Sequence, residues 1–143
     1  LYNEILSKRI HHFKNKKICL LVCGELNILT NLQSKSNKVE FRVNDKELRK
    51  KYEELFNDVD IFLNPIHTPM GNQGKMLMRR KFLSKNNRAY FSTANLDKPV
   101  KEAAISFKNS KSLQYAYFNG KEIDYISSDN TKDYLLRAYD IKI

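Results

Sequence analysis

Three short apolar runs, KICLLV at residues 17–22, VDIFL at 59–63 and AYF at 89–91, constrain the fold of this chain more than any other feature. Each is nearly continuous rather than alternating, the pattern of a strand buried on both faces. Between them, apolar residues recur at spacings of three and four, which is helical. Strand, helix and strand in alternation imply parallel pairing through right-handed crossovers, with helices covering the sheet. The expected class is α/β, a Rossmann-like (flavodoxin- or TIR-like), mostly parallel sheet flanked by helices.

Tyr2, Ile5, Leu6, Ile10 and Phe13 predict an amphipathic helix over 2–13 with its basic residues outward. The first apolar run stops at Cys23-Gly24-Glu25, where glycine permits a sharp exit. Val39, Phe41 and Val43 alternate with Glu40 and Arg42, as in a half-buried edge strand. Asn44 and Glu47 form a variant capping box ahead of a helix from about 45 to 56. Pro65 and Pro69 should stop strand pairing after Leu63, and Gly71 and Gly74 should tighten the loop before a helix over 75–84. Near the end, LQYAYF, Asn119-Gly120 and KEIDYIS read as a C-terminal β-hairpin, because Asn-Gly suits a type I′ turn. Thr131 to Tyr139 reads as a short final helix. With no repeat, low-complexity tract or linker, residues 1–143 are expected to form one α/β domain, and the leading Leu1 fits one excised from a longer protein.

Apolar residues make up 41% and charged residues 29%, a mix that does not point to disorder. The 26 basic side chains outnumber the 16 acidic ones, and a net charge of +10 raises the prospect of a polyanionic partner, nucleic acid or nucleotide. A composition rich in Lys and Asn explains the same number without a partner. The charges are not evenly spread. Lys8, Arg9, His11, His12, Lys14, Lys16 and Lys17 form one block and Lys75 to Arg88 a second, whereas Asp45 to Asp60 mixes both signs. The two cysteines, Cys19 and Cys23, cannot build a disulfide framework or a Cys-rich zinc site. A reducing cytoplasm is the expected setting. No apolar run approaches the about 18 residues of a membrane span, and LYNEILSKRI lacks a signal-peptide segment.

In open α/β sheets ligands bind beyond the carboxyl ends of parallel strands. That rule nominates Glu25 and Asn27 after the first run, Asn64, His67 and Thr68 after the second, and Ser92, Thr93 and Asn95 after the third. Glu25 could activate water or hold a divalent ion such as magnesium, and His67 between two prolines could move a proton near neutral pH. A helix cap and a loop histidine bonded to a backbone carbonyl are the plain alternatives. Asn27, Asn64, Thr68, Thr93 and Asn95 could orient a sugar or phosphate, although asparagines at strand ends commonly stabilise turns. Arg79 and Arg80 follow the glycine-bearing loop GNQG and could clamp an anion, or simply lie on a solvated helix face. GNQGK is neither a complete P-loop nor a dinucleotide fingerprint. On the hairpin, Tyr115, Tyr117, Phe118 and Tyr125 could stack bases or serve as core partners.

Arg88 to Leu96, RAYFSTANL, resembles the end of the phospholipase D motif, in which a strand leads to Gly-Ser-x-Asn; that superfamily includes nucleases. Thr93 and Asn95 match. Counting back through the family's spacing puts its glycine on Ser92, its aspartate on Lys85, its lysine on Arg80 and its histidine on Met78, so the essential histidine is absent. The overall plan also resembles nucleoside deoxyribosyltransferases and TIR domains, although their catalytic glutamate motif finds no match here.

Three functions stay open. One is a nucleic-acid-acting phosphodiesterase or nuclease, with a basic helix on phosphates and His67 and Glu25 in proton transfer. A second is a nucleotide or nucleoside (NAD-like) hydrolase or transferase built on Glu25, Asn64 and Asn95. The third is a non-catalytic nucleotide or nucleic-acid binding module.

Overall fold

The computed structural model describes residues 1–22, 24–32, 38–66, 73–94, 114–131 and 135–143. Its centre is a six-stranded mixed sheet of β1 (Ile10–Phe13), β2 (Lys16–Leu20), β5 (Ile61–Ile66), β6 (Ala89–Ala94), β7 (Ala116–Phe118) and β8 (Lys121–Glu122), in that spatial order. β3 (Leu29–Asn31) and β4 (Val39–Phe41) pair separately, as do β9 (Ser127–Asn130) and β10 (Leu135–Ala138). The helices are α1 (Tyr2–Lys8), α2 (Lys46–Asn57) and α3 (Gln73–Leu83), with a 3-10 turn at Glu25–Ile28. Among the described residues, no helix is long and apolar enough to cross a membrane.

The three apolar runs do form adjacent parallel strands, β2 beside β5 and β5 beside β6. The expectation of a mostly parallel sheet is nevertheless corrected, because β1–β2, β6–β7 and β7–β8 are antiparallel. Two-residue turns explain two of these. Lys14 and Asn15 both have positive φ, 46° and 61°, as do Asn119 and Gly120, 50° and 74°, the geometry of a I′ hairpin turn. The expected C-terminal hairpin is thus present, whereas the expected helix over 2–13 stops at Lys8 and gives way to β1. A ladder to β2 supplies its backbone partners instead: Ile10 opposes Cys19 and Phe13 opposes Lys16.

The final helix is also corrected. Leu135 to Ala138 pair antiparallel with Asn130 to Ser127. A helix so short is marginal by itself, while a neighbouring strand satisfies the same backbone groups. α2 forms as expected, but its cap is Asp45, whose Oδ1 accepts the Leu48 N–H at 2.7 Å. Pro65 does not end β5; it pairs with Thr93 inside the ladder.

Strand order follows chain order from β1 to β8, leaving aside β3 and β4. Successive right-handed crossovers running in one direction put their helices on one side of the sheet. Phe62 on β5 meets Phe56 of α2 at 5.1 Å between ring centres, and Tyr115, just before β7, lies beneath Arg80 of α3. Tyr2 of α1 packs edge-on against Tyr52 of α2. Cys19, Phe62, Tyr90 and Tyr117 line this helix-covered face and are all buried. The β3–β4 ribbon joins the same core through Phe41, which contacts Tyr52, Phe56 and Phe82. The described residues thus form an α/β unit on a mixed sheet, with α1, α2 and α3 on one face of it.

Candidate functional site

The rule that ligands bind at carboxyl ends of strands depends on a point where strand order reverses, opening a crevice between diverging loops. This sheet has no such reversal among its parallel strands. Glu25 is engaged at both oxygens, with Arg9 on Oε1 and the Val22 N–H on Oε2 at 2.7 Å. It ties the exit of β2 to the α1–β1 junction, and its hydrogen bond is the main cause of the raised Arg9 pKa.

Arg79 and Arg80 are 4% and 3% exposed, so neither lies on a solvated helix face. Arg79 donates to Asn27 Oδ1 at 2.7 Å, the Leu26 carbonyl at 3.2 Å and Asn31 Oδ1 at 3.3 Å. It pins the 3-10 turn and β3 to α3, and Asn27 is one of its acceptors. All these acceptors are neutral, and burial lowers the guanidinium pKa, with Arg42 adding to the effect. Arg80 stacks 3.9 Å above the Tyr115 ring.

Asn64, Arg80 and Ser92 of the sequence reading also come together, around the Tyr90 hydroxyl. Asn64, 2% exposed, donates through Nδ2 to the Tyr90 hydroxyl at 2.9 Å, and that hydroxyl is also approached by Arg80 and Ser92. Burial raises the Tyr90 pKa, and these three contacts oppose the rise. Asn64 Oδ1 has no hydrogen-bond partner among the described residues. Thr93 cannot join them. Side chains alternate along a strand, so Thr93 lies on the face opposite Asn64 and Ser92, and it is exposed. His67, Thr68 and Asn95 lie outside the described residues. Among those residues no cluster of His, Cys, Asp and Glu could hold a metal ion.

The opposite sheet face carries the feature that sequence reading missed. Pairing registers put His11 and Phe13 of β1, Lys16, Ile18 and Leu20 of β2, and Ile61 and Leu63 of β5 on it. It continues with Phe91, Ala116, Phe118 and Lys121. No helix among the described residues packs there, and no strand position on it is Asp or Glu.

No protein-family model, curated protein or solved structure matches this chain.

On that sheet face, Phe13 is 62% exposed with Lys14 Nζ 5.5 Å from its ring centre, and Leu20 is 37% exposed. Toward β6 the face closes over, since Ala89 and Ala116 are buried and Tyr139 packs on Phe91 at 5.5 Å. The open part is thus the β1–β2 margin. Of its basic block, Arg9 is ion-paired with Glu4 and Glu25, Lys17 with Asp58, and Lys16 weakly with Asp60 at 3.9 Å. Lys8, His11, His12 and Lys14 make no ion pair among the described residues and face solvent. Of the hairpin aromatics expected to stack bases, Tyr117 is buried and Tyr115 lies beneath Arg80; Phe118 is half-buried on the open face.

Proposed function

We propose that this domain binds single-stranded nucleic acid along the β1–β2 margin of the sheet face opposite α1, α2 and α3. The observation that carries the reading is the combination on that face of an exposed aromatic, exposed apolar strand positions and cations, with no carboxylate among the strand positions. A polyanion needs cations on which to release its counterions, and unpaired bases need π faces on which to stack. Phe13 supplies the stacking platform, and His11, Lys14 and Lys16 border it.

The test is fluorescence anisotropy with labelled 15-nucleotide DNA and RNA at 50 and 200 mM salt. Affinity should fall with salt. Phe13→Ala, at an exposed site, should weaken binding about tenfold, in line with about 1–3 kcal/mol for one stacked base. Lys14→Glu should weaken it and flatten the salt dependence. No binding at 50 mM salt, or binding indifferent to both substitutions, would overturn the reading. Incubation of the same oligonucleotides with magnesium addresses the phosphodiesterase reading: cleavage lost in His67→Ala supports it, and intact substrate limits the domain to binding.

A further inference from the structure

β1 forms one margin of the six-stranded sheet, and β2 is its only strand partner among the described residues. Leu20 N–H donates to Arg9 O at 2.9 Å, which makes Arg9 and Leu20 a bonded pair of the antiparallel ladder. Bonded pairs recur every second residue, so His11 and Phe13 also turn their backbone groups toward β2. Ile10 and His12 turn theirs outward. Lys17, opposite His12, keeps the same phase: its N–H donates to Asp60 Oδ2 at 2.7 Å and its carbonyl accepts the Asp60 N–H at 2.9 Å, both away from β1.

This margin is open to solvent. His11, His12 and Phe13 are exposed as whole residues and Ile10 is half-buried, so the strand edge can be reached. The outward N–H and C=O groups of Ile10 and His12 make no backbone bond among the described residues. Two donor–acceptor sets spaced along an extended strand match the backbone of another extended chain. Lys8 precedes the strand and Lys14 follows it, both exposed and without an ion pair among the described residues. Charge decides between the candidate occupants. Antiparallel pairing of two copies around His11 would set Lys14 of one near Lys8 of the other, in a chain whose net charge is already +10. An acidic strand meets the same two lysines as counter-ions.

We infer that β1 receives an extended acidic segment of a partner protein, added as an antiparallel strand along its outer edge. Residues of that strand that exchange backbone bonds with Ile10 and His12 share their side-chain face, the helix-covered one. There Ile10 lies opposite the buried Cys19, and Lys17 is already neutralised by Asp58. The intervening residues of the added strand stand beside His11 and Phe13 on the other face, where no strand position is Asp or Glu and the His11 imidazole offers an N–H donor. The segment therefore alternates, with apolar β-branched residues beside Ile10 and carboxylates beside His11. The contact lies in the plane of the sheet, whereas Phe13 presents its ring on the face, so this inference does not rest on the nucleic-acid reading.

The probe is a fluorescein-labelled eight-residue peptide alternating valine and glutamate, capped at both ends and titrated into the whole chain at 50 mM salt. It should bind, and a counterpart alternating valine and lysine should not. N-methylation of every valine should weaken binding about tenfold, because those amides face β1, and N-methylation of every glutamate should leave it nearly unchanged. His12→Pro removes an outward N–H and no ladder bond, and should weaken binding about tenfold with little change in urea midpoint. Lys8→Glu combined with Lys14→Glu, both at exposed positions, should weaken it as well. In hydrogen exchange the amides of Ile10 and His12 should slow with the peptide bound, while those of His11 and Phe13 stay unchanged. No binding, equal loss from both methylation patterns, or unchanged exchange at Ile10 and His12 would overturn the assignment. So would a dimer in sedimentation velocity whose Ile10 and His12 amides are protected without peptide, which gives the edge to a second copy. Nucleic-acid binding is scored separately through Phe13→Ala, so either reading can fail alone.

Discussion

Arg88 illustrates how far the charge of a residue is from its role. Its guanidinium donates to the carbonyls of Phe56 at 2.8 Å, Phe82 at 3.2 Å and Lys85 at 2.7 Å, and to Asn57 Oδ1 at 3.0 Å. Those acceptors belong to the ends of α2 and α3, where orphan carbonyls and the negative end of the helix dipole welcome a cation. Burial lowers the Arg88 pKa, and these oxygens replace the water that its guanidinium gives up. Arg88→Ala would remove four charge-assisted hydrogen bonds that tie the ends of α2 and α3 together and should lower stability by about 3 kcal/mol, read as a shift in urea midpoint. Arg88→Lys should recover only part, since an ammonium cannot span the same fork. Arg79 and Arg80 looked like candidates for an anion site in the sequence, and Arg88 closed the same basic block, because a run of basic residues carries no sign of which side of a helix faces the core. The apolar stripe of α3 could have warned of it: Met76 and Leu83 are buried, and the intervening turn is completed by Arg79 and Arg80 rather than by apolar residues.

Turns carried the most legible element-scale information. Asn119-Gly120 announces the β7–β8 hairpin, and tertiary contacts exploit the same two residues. Gly120 N–H donates to Ser84 O at 3.1 Å, and Asn119 Oδ1 accepts the Asn87 N–H at 2.6 Å, docking the hairpin on the turn that follows α3. A Cβ at Gly120 would sit 3.5 Å from the Lys85 side chain, which is ordinary contact, so the cost of Gly120→Ala is its φ of +74° alone. That should be about 1–2 kcal/mol, measured as a fall in unfolding free energy. Asp45→Ala, which removes the α2 cap, should cost about 1 kcal/mol in the same assay. The Lys14-Asn15 turn was less visible because a helical spacing of Ile5, Ile10 and Phe13 competed with it. Once β1 is read as helix, the open face of the sheet disappears from view, and with it Phe13 as a surface aromatic.

At the scale of the whole molecule, burial on the helix-covered face sets an alkaline limit. Burial is the first cause pushing the Cys19 thiol up to about 12, and it also raises Tyr52, Tyr90 and Tyr117. Each folded group holds its proton after the unfolded chain, with Cys near about 8.5 and Tyr near about 10, has released it. Stability is therefore complete below pH about 8.5 and declines as pH rises toward 12, because the unfolded state then binds fewer protons. Urea midpoints should be flat from pH 7 to 8 and fall above 9, and Cys19→Ala should flatten the first part of that fall. A midpoint that rises with pH would contradict the burial of these groups. Local periodicity and turn chemistry determined the three parallel strands, α2, α3 and the Asn-Gly hairpin, since each depends on residues close together in the chain. Only the tertiary structure decided that strand order runs in one direction, that α1, α2 and α3 share one face, and that Asn64 meets Tyr90 while Glu25 is held by Arg9. These are outcomes of pairing between segments tens of residues apart, and a periodicity of two or of three and four specifies that a strand or helix forms without specifying its neighbour.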